Sequence, residues 1–302
     1  MNSMHSRQFS LLFCGLILAT VSVFVSRPVR AQTAEADSAH AWRSDLDISL
    51  TGAQAGFENW VEGGTSSLAG NLGLDGLWER TTQKWSQHYE VRLRYGLVKQ
   101  DTLDFRKAED EIFLLASWSG EGSDAERNFH PTAGVSFRSQ FYQGFNFKEN
   151  PVDPDGPVPA RVSALMSPGR FQESLGISWT PNSWFTQHVG VASKQTVILD
   201  EELRELYGSD PDETVRLEVG VDAITRLDIA VAKNVRYKTS LGLFAAFNTT
   251  DKPDTRWDNT ITMSVNGWLR VTFEWVVLFD GDVSDKAQIR EIFGVGISYS
   301  II

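Results

Sequence analysis

The chain has 302 residues and a formal net charge of −11, from 39 Asp and Glu against 28 Lys and Arg. With no basic cluster, an acidic chain of this kind excludes nucleic acid as a partner. Its single cysteine, Cys14, excludes an internal disulfide framework.

In chain order the first element is an export signal. Arg7 supplies a positive start, Leu11 to Val25 is an apolar stretch, and Val29-Arg30-Ala31 offers a peptidase cut. The stretch spans about 15 residues, short of the ~20 that cross a bilayer as a helix. Phe13 stands before Cys14 where a lipoprotein signal needs a small residue. Cleavage removes Cys14 and three arginines (Arg7, Arg27, Arg30), so −11 becomes about −14. We read residues 1–31 as a signal peptide, 32–41 as a flexible periplasmic segment and 42–302 as one β-barrel.

The remainder alternates apolar and polar residues with period two. Tyr89, Val91, Leu93 and Tyr95 alternate with Glu90, Arg92 and Arg94; Val215 to Val221 and Phe293 to Ile301 behave alike. Such strands place one face in an apolar medium and the other in a polar one. About twelve strands are expected, near 42–51, 67–79, 85–98, 106–119, 130–145, 171–180, 185–197, 213–231, 235–247, 258–265, 269–279 and 290–302. Their length exceeds the usual five or six residues of soluble sheets and suits tilted membrane strands of about 9–11 residues. Short connections after even-numbered strands and longer, polar ones after odd-numbered strands fit periplasmic turns and external loops. The connection at 119–129 is longer than this rule predicts, and that at 99–105 is shorter. Odd-numbered apolar residues continue from Ile261 through Leu269 to Trp275, which predicts a three-residue loop or a bulge at Asn266-Gly267-Trp268 in place of a two-residue hairpin. Trp78, Trp85, Trp179 and Trp184 flank two short turns, as an interfacial aromatic girdle would. The fold class is therefore all-β, an antiparallel transmembrane β-barrel of about 12 strands in the outer membrane, with outer-membrane lipid as its surroundings.

Several motifs resemble those of domain-of-unknown-function family 3078, found mainly in Bacteroidota and their relatives. They begin with Asn59-Trp60-Val61-Glu62-Gly63-Gly64-Thr65-Ser66-Ser67-Leu68. They continue through Tyr95-Gly96-Leu97, Arg106-Lys107 with Asp110, and Arg138-Ser139-Gln140-Phe141 with Gly144. Ser167-Pro168-Gly169, Lys194 with Thr196, Tyr207-Gly208 and Phe293 to Tyr299 complete the series. Ser139 and Ser167 depart from the Thr and Ala more usual there. The resemblance implies an outer-membrane barrel and no particular activity. Within it, Trp60, Gly63 and Gly64 predict an ordered turn in the first external loop. Gly296, Tyr299 and Ile301 look like a last-strand signal for the barrel-assembly machinery, a partner by implication.

Chemistry is sparse. His88, His130 and His188 fall in the barrel, and a Ser–His pair is conceivable with Ser86 or Ser174, but no nucleophile elbow accompanies them. No metal site or cofactor is expected. The acidic run Asp280 to Asp285 lacks the remaining EF-hand ligands. Asp200 to Gly208 reads as a short loop helix. The informative residues are polar ones on the inward parity: Glu90, Arg92, Arg94, Arg138, Gln140, Lys194, Arg216, Glu218, Asp222 and Lys238. A twelve-strand barrel is narrower than an open porin. Facing acids and bases either fill it as a bonded network or line a narrow path, with Arg92, Arg94 and Arg138 giving a modest anion preference. The favoured function is binding or passage of a small solute; the rivals are a membrane-embedded hydrolase and a structural or adhesin-like barrel.

Overall fold

The computed structural model describes residues 42–56, 65–82, 84–120, 128–247, 252–284 and 286–301. The signal peptide, the 32–41 segment and the Trp60-Gly63-Gly64 motif lie outside them. Among the described residues the strands are β1 (Arg43–Ala55), β2 (Ser67–Thr81), β3 (Trp85–Gln100), β4 (Arg106–Gly120), β5 (Phe129–Ser139), β6 (Gly144–Asn146) and β7 (Ala160–Ser163). They continue with β8 (Gly169–Asn182), β9 (Phe185–Val197), β10 (Val215–Ala232), β11 (Val235–Ala246), β12 (Asp254–Ser264), β13 (Leu269–Phe279) and β14 (Gln288–Ser300). Twelve of these close an antiparallel barrel in the order β1-β14-β13-β12-β11-β10-β9-β8-β5-β4-β3-β2, while β6 and β7 pair separately. The expected twelve-strand transmembrane barrel is what forms.

Its burial is inverted relative to a soluble domain. Leu72, Leu175, Val191, Val221 and Phe293 are exposed on the outer face, whereas Glu111, His188, Lys194, Glu218 and Asp222 are buried. Alternation along each strand explains this sorting: odd-numbered residues of β3, β5, β8, β9, β10 and β13 face out, and even-numbered ones face in. Closure leaves no unpaired edge, as a hydrocarbon surrounding demands. Trp85, Trp179, Trp184 and Trp268 are exposed near the short-turn end. Trp179 stacks on Phe129 at 6.3 Å and meets Phe185 edge-on at 5.6 Å, forming part of the expected girdle.

The β12–β13 connection has the expected three-residue loop. Val265 N–H donates to the Leu269 carbonyl at 2.9 Å, and Ile261 pairs with Phe273, so odd residues face out on both strands. The Asn266 carboxamide oxygen accepts from Trp268 N and Leu269 N at 2.9 and 2.8 Å, fixing the turn.

Two expected elements differ. The stretch 130–145 is not one strand: β5 ends at Ser139, and β6 belongs to a loop sheet. Asp110 causes the break, its carboxylate accepting from Phe141 N at 2.7 Å and Tyr142 N at 2.9 Å and drawing the chain out of the ladder. Gln140 is thereby removed from the lumen wall; its amide donates to the Ala164 and Ser167 carbonyls at 2.8 and 3.2 Å. The Asp200–Gly208 helix is two 3-10 turns, Glu201–Leu203 and Glu205–Tyr207, and Asp200 makes no side-chain cap. Asp200 instead pairs with Arg161 of β7 at 2.5 Å, which takes it from the capping role. Gly208 ends the second turn at φ 69° as a left-handed residue. Leu203 and Ile198 are fully buried beneath these loops. The Tyr207 hydroxyl donates to the Val162 carbonyl at 2.8 Å, and burial raises its pKa above the ordinary phenol value.

Candidate functional site

The inward residues organise into two layers. The upper layer is a bonded network centred on Glu111 of β4. Its carboxylate pairs with Arg138 of β5, with Arg92 of β3 at 3.7 Å and with Arg256 of β12 at 3.3 Å. Strands β4 and β12 stand six places apart in a ring of twelve, so the Glu111–Arg256 pair crosses the lumen from wall to opposite wall. Glu90 holds Arg92 at 2.7 Å, Asp258 holds Arg256 at 2.8 Å, and both Asp75 oxygens accept from Arg94 Nη2 at 2.8 Å. Phe113 lies between the guanidinium groups of Arg92 and Arg138, 5.1 and 4.4 Å from its ring centre.

Nearer the external loops, Lys194 of β9 pairs with Glu218 at 2.8 Å and with Asp254 across three strands. Arg216 joins Glu218 at 3.2 Å and Asp282 at 2.6 Å. Arg170 reaches Asp280 at 3.1 Å. The carboxylates of the 280–285 loop that lie among the described residues thus face arginines. Of the three arginines expected to favour anions, Arg92 and Arg94 each have a carboxylate of their own in Glu90 and Asp75, whereas Arg138 shares Glu111 with Arg92 and Arg256. Lys238 stands apart, exposed near the short-turn end and 3.9 Å from Asp228.

Below this layer, toward the short turns, lies a cavity of about 360 Å³. Its wall is rich in hydroxyls, among them Ser117, Ser136, Ser174, Ser178 and Thr186, with His88, His188, Asp222 and Arg226 interspersed. His88 is held by Glu79 at 3.1 Å, and His130 by the Gly120 carbonyl at 3.2 Å. Among the described residues Ser86 bonds Thr81 at 3.3 Å and no histidine.

Ser174 does meet His188, at 2.8 Å from Nε2. The two glycines Gly176 and Gly190 pair across β8 and β9 beneath the ring, and a Cβ on Gly190 would stand 2.8 Å from both groups. The polarity of the cluster is not that of a nucleophile and its base. The Ser174 hydroxyl donates to Asp222 at 2.9 Å, leaving its oxygen to accept from His188 Nε2–H. His188 Nδ1 then accepts from the Ser178 hydroxyl at 3.1 Å. With the Nε2–H tautomer that this donation from Ser174 to Asp222 selects, every proton is used and His188 has no free lone pair for Ser174. A base must accept the nucleophile's proton, so the cluster reads as a satisfied wall element.

Residues 53–145 match the family described as "Protein of unknown function (DUF3078)". The family resemblance is met there. The matched stretch holds Glu90, Arg92, Arg94, Glu111 and Arg138, most of the upper network, whereas the motifs from Ser167 onward lie beyond it. No curated protein matches the chain by sequence. Among solved structures, an outer membrane channel from Pseudomonas putida F1 is 13% identical, with TM-score 0.37, covering 90% of this chain and 99% of that one. The translocator domain of the autotransporter NalP from Neisseria meningitidis is 10% identical, with TM-score 0.35 and coverages of 98% and 97%. At these values nothing about activity passes to this chain.

Gly296 faces in against Thr51, while Tyr299 and Ile301 are exposed on the outer face at the seam, where β14 closes on β1. Residues that sequence reasoning passed over are Glu111, Arg256, Asp258 and Arg226. Glu111 continues an inward series with Glu109 and Phe113, and Arg226 extends the Arg216, Glu218, Asp222 series. The same alternation would have found both.

Proposed function

We propose that this is an outer-membrane barrel that binds a small polar solute in its periplasmic vestibule and does not conduct freely. The wall-to-wall Glu111–Arg256 pair carries this reading, because it closes over a cavity of mixed polar and apolar lining on the short-turn side. Short turns face the periplasm in such barrels. A concave site of about 360 Å³ is within the range of about 300–1,000 Å³ typical of small-ligand sites. The outer membrane supplies the apolar surrounding that the exposed outer face requires, and cell fractionation should recover the protein there. Gly296, Tyr299 and Ile301 are the residues proposed to be read during assembly. In liposome swelling with sugars, nucleosides and amino acids, the folded protein should give no uptake above empty vesicles. Calorimetric titration of the same panel should show saturable binding of at least one member. Swelling without saturable binding would reverse the reading in favour of an open pore.

A further inference from the structure

We infer that the vestibule recognises an organic anion with a hydroxylated body, a sugar acid or sugar phosphate, and that Arg226 holds its charge; this rests on the vestibule being a binding site. Arg226 lies on β10, opposite Thr186 of β9 and Ser240 of β11, and lines the cavity. Among the described residues its guanidinium makes no hydrogen bond and has no carboxylate within 4 Å. Its charged neighbours Glu90 and Arg92 hold one another at 2.7 Å.

The acids of the cavity wall are already engaged. Glu79 is held by His88 at 3.1 Å and Arg43 at 3.5 Å, and Asp228 by Arg236 at 2.5 and 2.8 Å. Asp222 accepts from Ser174 at 2.9 Å and from Gln172 at 3.3 Å. None is positioned to neutralise Arg226. Elsewhere in this lumen arginines are matched by carboxylates, so the exception marks a place where the partner is supplied from outside.

A guanidinium presents a planar fork of donors that suits a carboxylate or phosphate in two-point contact. Held between protein walls, such a contact is screened less than in bulk solvent. The rest of the wall indicates the body of the ligand. Ser117, Ser136 and Thr186 turn hydroxyls to the cavity, and each can both donate and accept. With Leu115, Ile224 and Leu227 on the same wall, the cavity offers partners both for the hydroxyls and for the C–H faces of a sugar ring.

The test is calorimetric titration of the mature barrel, folded in detergent micelles, with glucuronate, glucose 6-phosphate, inorganic phosphate and glucose. Glucuronate or glucose 6-phosphate should bind at least tenfold more tightly than glucose. Arg226→Gln should remove that advantage, and Arg226→Lys should keep part of it. The ligand comparison on the wild type stands even where a variant fails to fold. Glucose binding as tightly as glucuronate, or an unchanged anion affinity in folded Arg226→Gln, would overturn the anion assignment and leave the vestibule a neutral-solute site. Inorganic phosphate binding as tightly as glucose 6-phosphate would overturn the hydroxylated body. Silence with all four probes and with the wider sugar, nucleoside and amino-acid panel would remove the vestibule reading as well.

Discussion

Glu111 is one carboxylate shared by three arginines, and its side chain is 7% exposed. Removing one partner of a buried ion pair leaves the others uncompensated, at a cost of about 3–5 kcal/mol. Arg43, paired with Glu79 at 3.5 Å, is 71% exposed, and pairs of that kind contribute about 0–1 kcal/mol. Urea unfolding in lipid vesicles, followed by tryptophan fluorescence, should therefore show Glu111→Ala strongly destabilised and Arg43→Ala nearly unchanged. Equal midpoints for the two would mean that the upper network contributes little to holding the barrel. At this scale the sequence was legible for facing and not for partnership. Period-two alternation placed Arg92, Arg138 and Glu218 inside, since facing depends on local backbone alone. That Glu111 meets Arg256, 145 positions later, depends on how many strands separate them around the ring. No local pattern encodes that number.

Strands were readable where alternation was unbroken and misread where a side chain overrode it. β10 runs from Val215 to Ala232 with valines and leucines at odd positions, and its length and parity agree with expectation. The run at 130–145 loses its clean alternation at Arg138-Ser139-Gln140, and there the Asp110 carboxylate competes with the ladder for the N–H groups of Phe141 and Tyr142. Such a side-chain contact with another strand is invisible to periodicity. The parity itself is testable. Val191 pairs with Leu175 on one side and Val221 on the other, and all three are exposed on the outer face. An arginine at the midplane on the lipid face costs about 2–4 kcal/mol. Val191→Arg should lower the yield of heat-modifiable folded protein well below that of Ser117→Arg, whose side chain enters the vestibule. Equal yields would show that the outer face does not meet hydrocarbon.

Taken whole, the described barrel carries a charged pair across its lumen. A twelve-strand ring is narrow enough for two long side chains to meet across it. Glu111 and Arg256 do so at 3.3 Å, while Arg290 of β14 approaches Glu109 of β4 at 3.6 Å just above. The first pair braces opposite walls and the second ties strands four places apart, so the partition and the stability of the ring have a common origin. If the partition blocks ions, wild-type protein in planar bilayers should show no steady conductance. Glu111→Ala alone tests this poorly, because the freed arginines remain in the lumen and destabilise the fold. Removing both ends together, Glu111→Ala with Arg256→Ala, leaves Arg92 with Glu90, frees one charge of each sign on Arg138 and Asp258, and shortens both side chains that span the gap. The double variant should then pass current in discrete steps, with little selectivity between cation and anion in a salt gradient, since the two freed charges, Arg138 and Asp258, are opposite in sign. Steps of the same size in wild type and variant would place the ion path elsewhere in the lumen. Silence in a correctly folded double variant would move the barrier outward, to the layer where Lys194, Glu218 and Arg216 meet beneath the external loops.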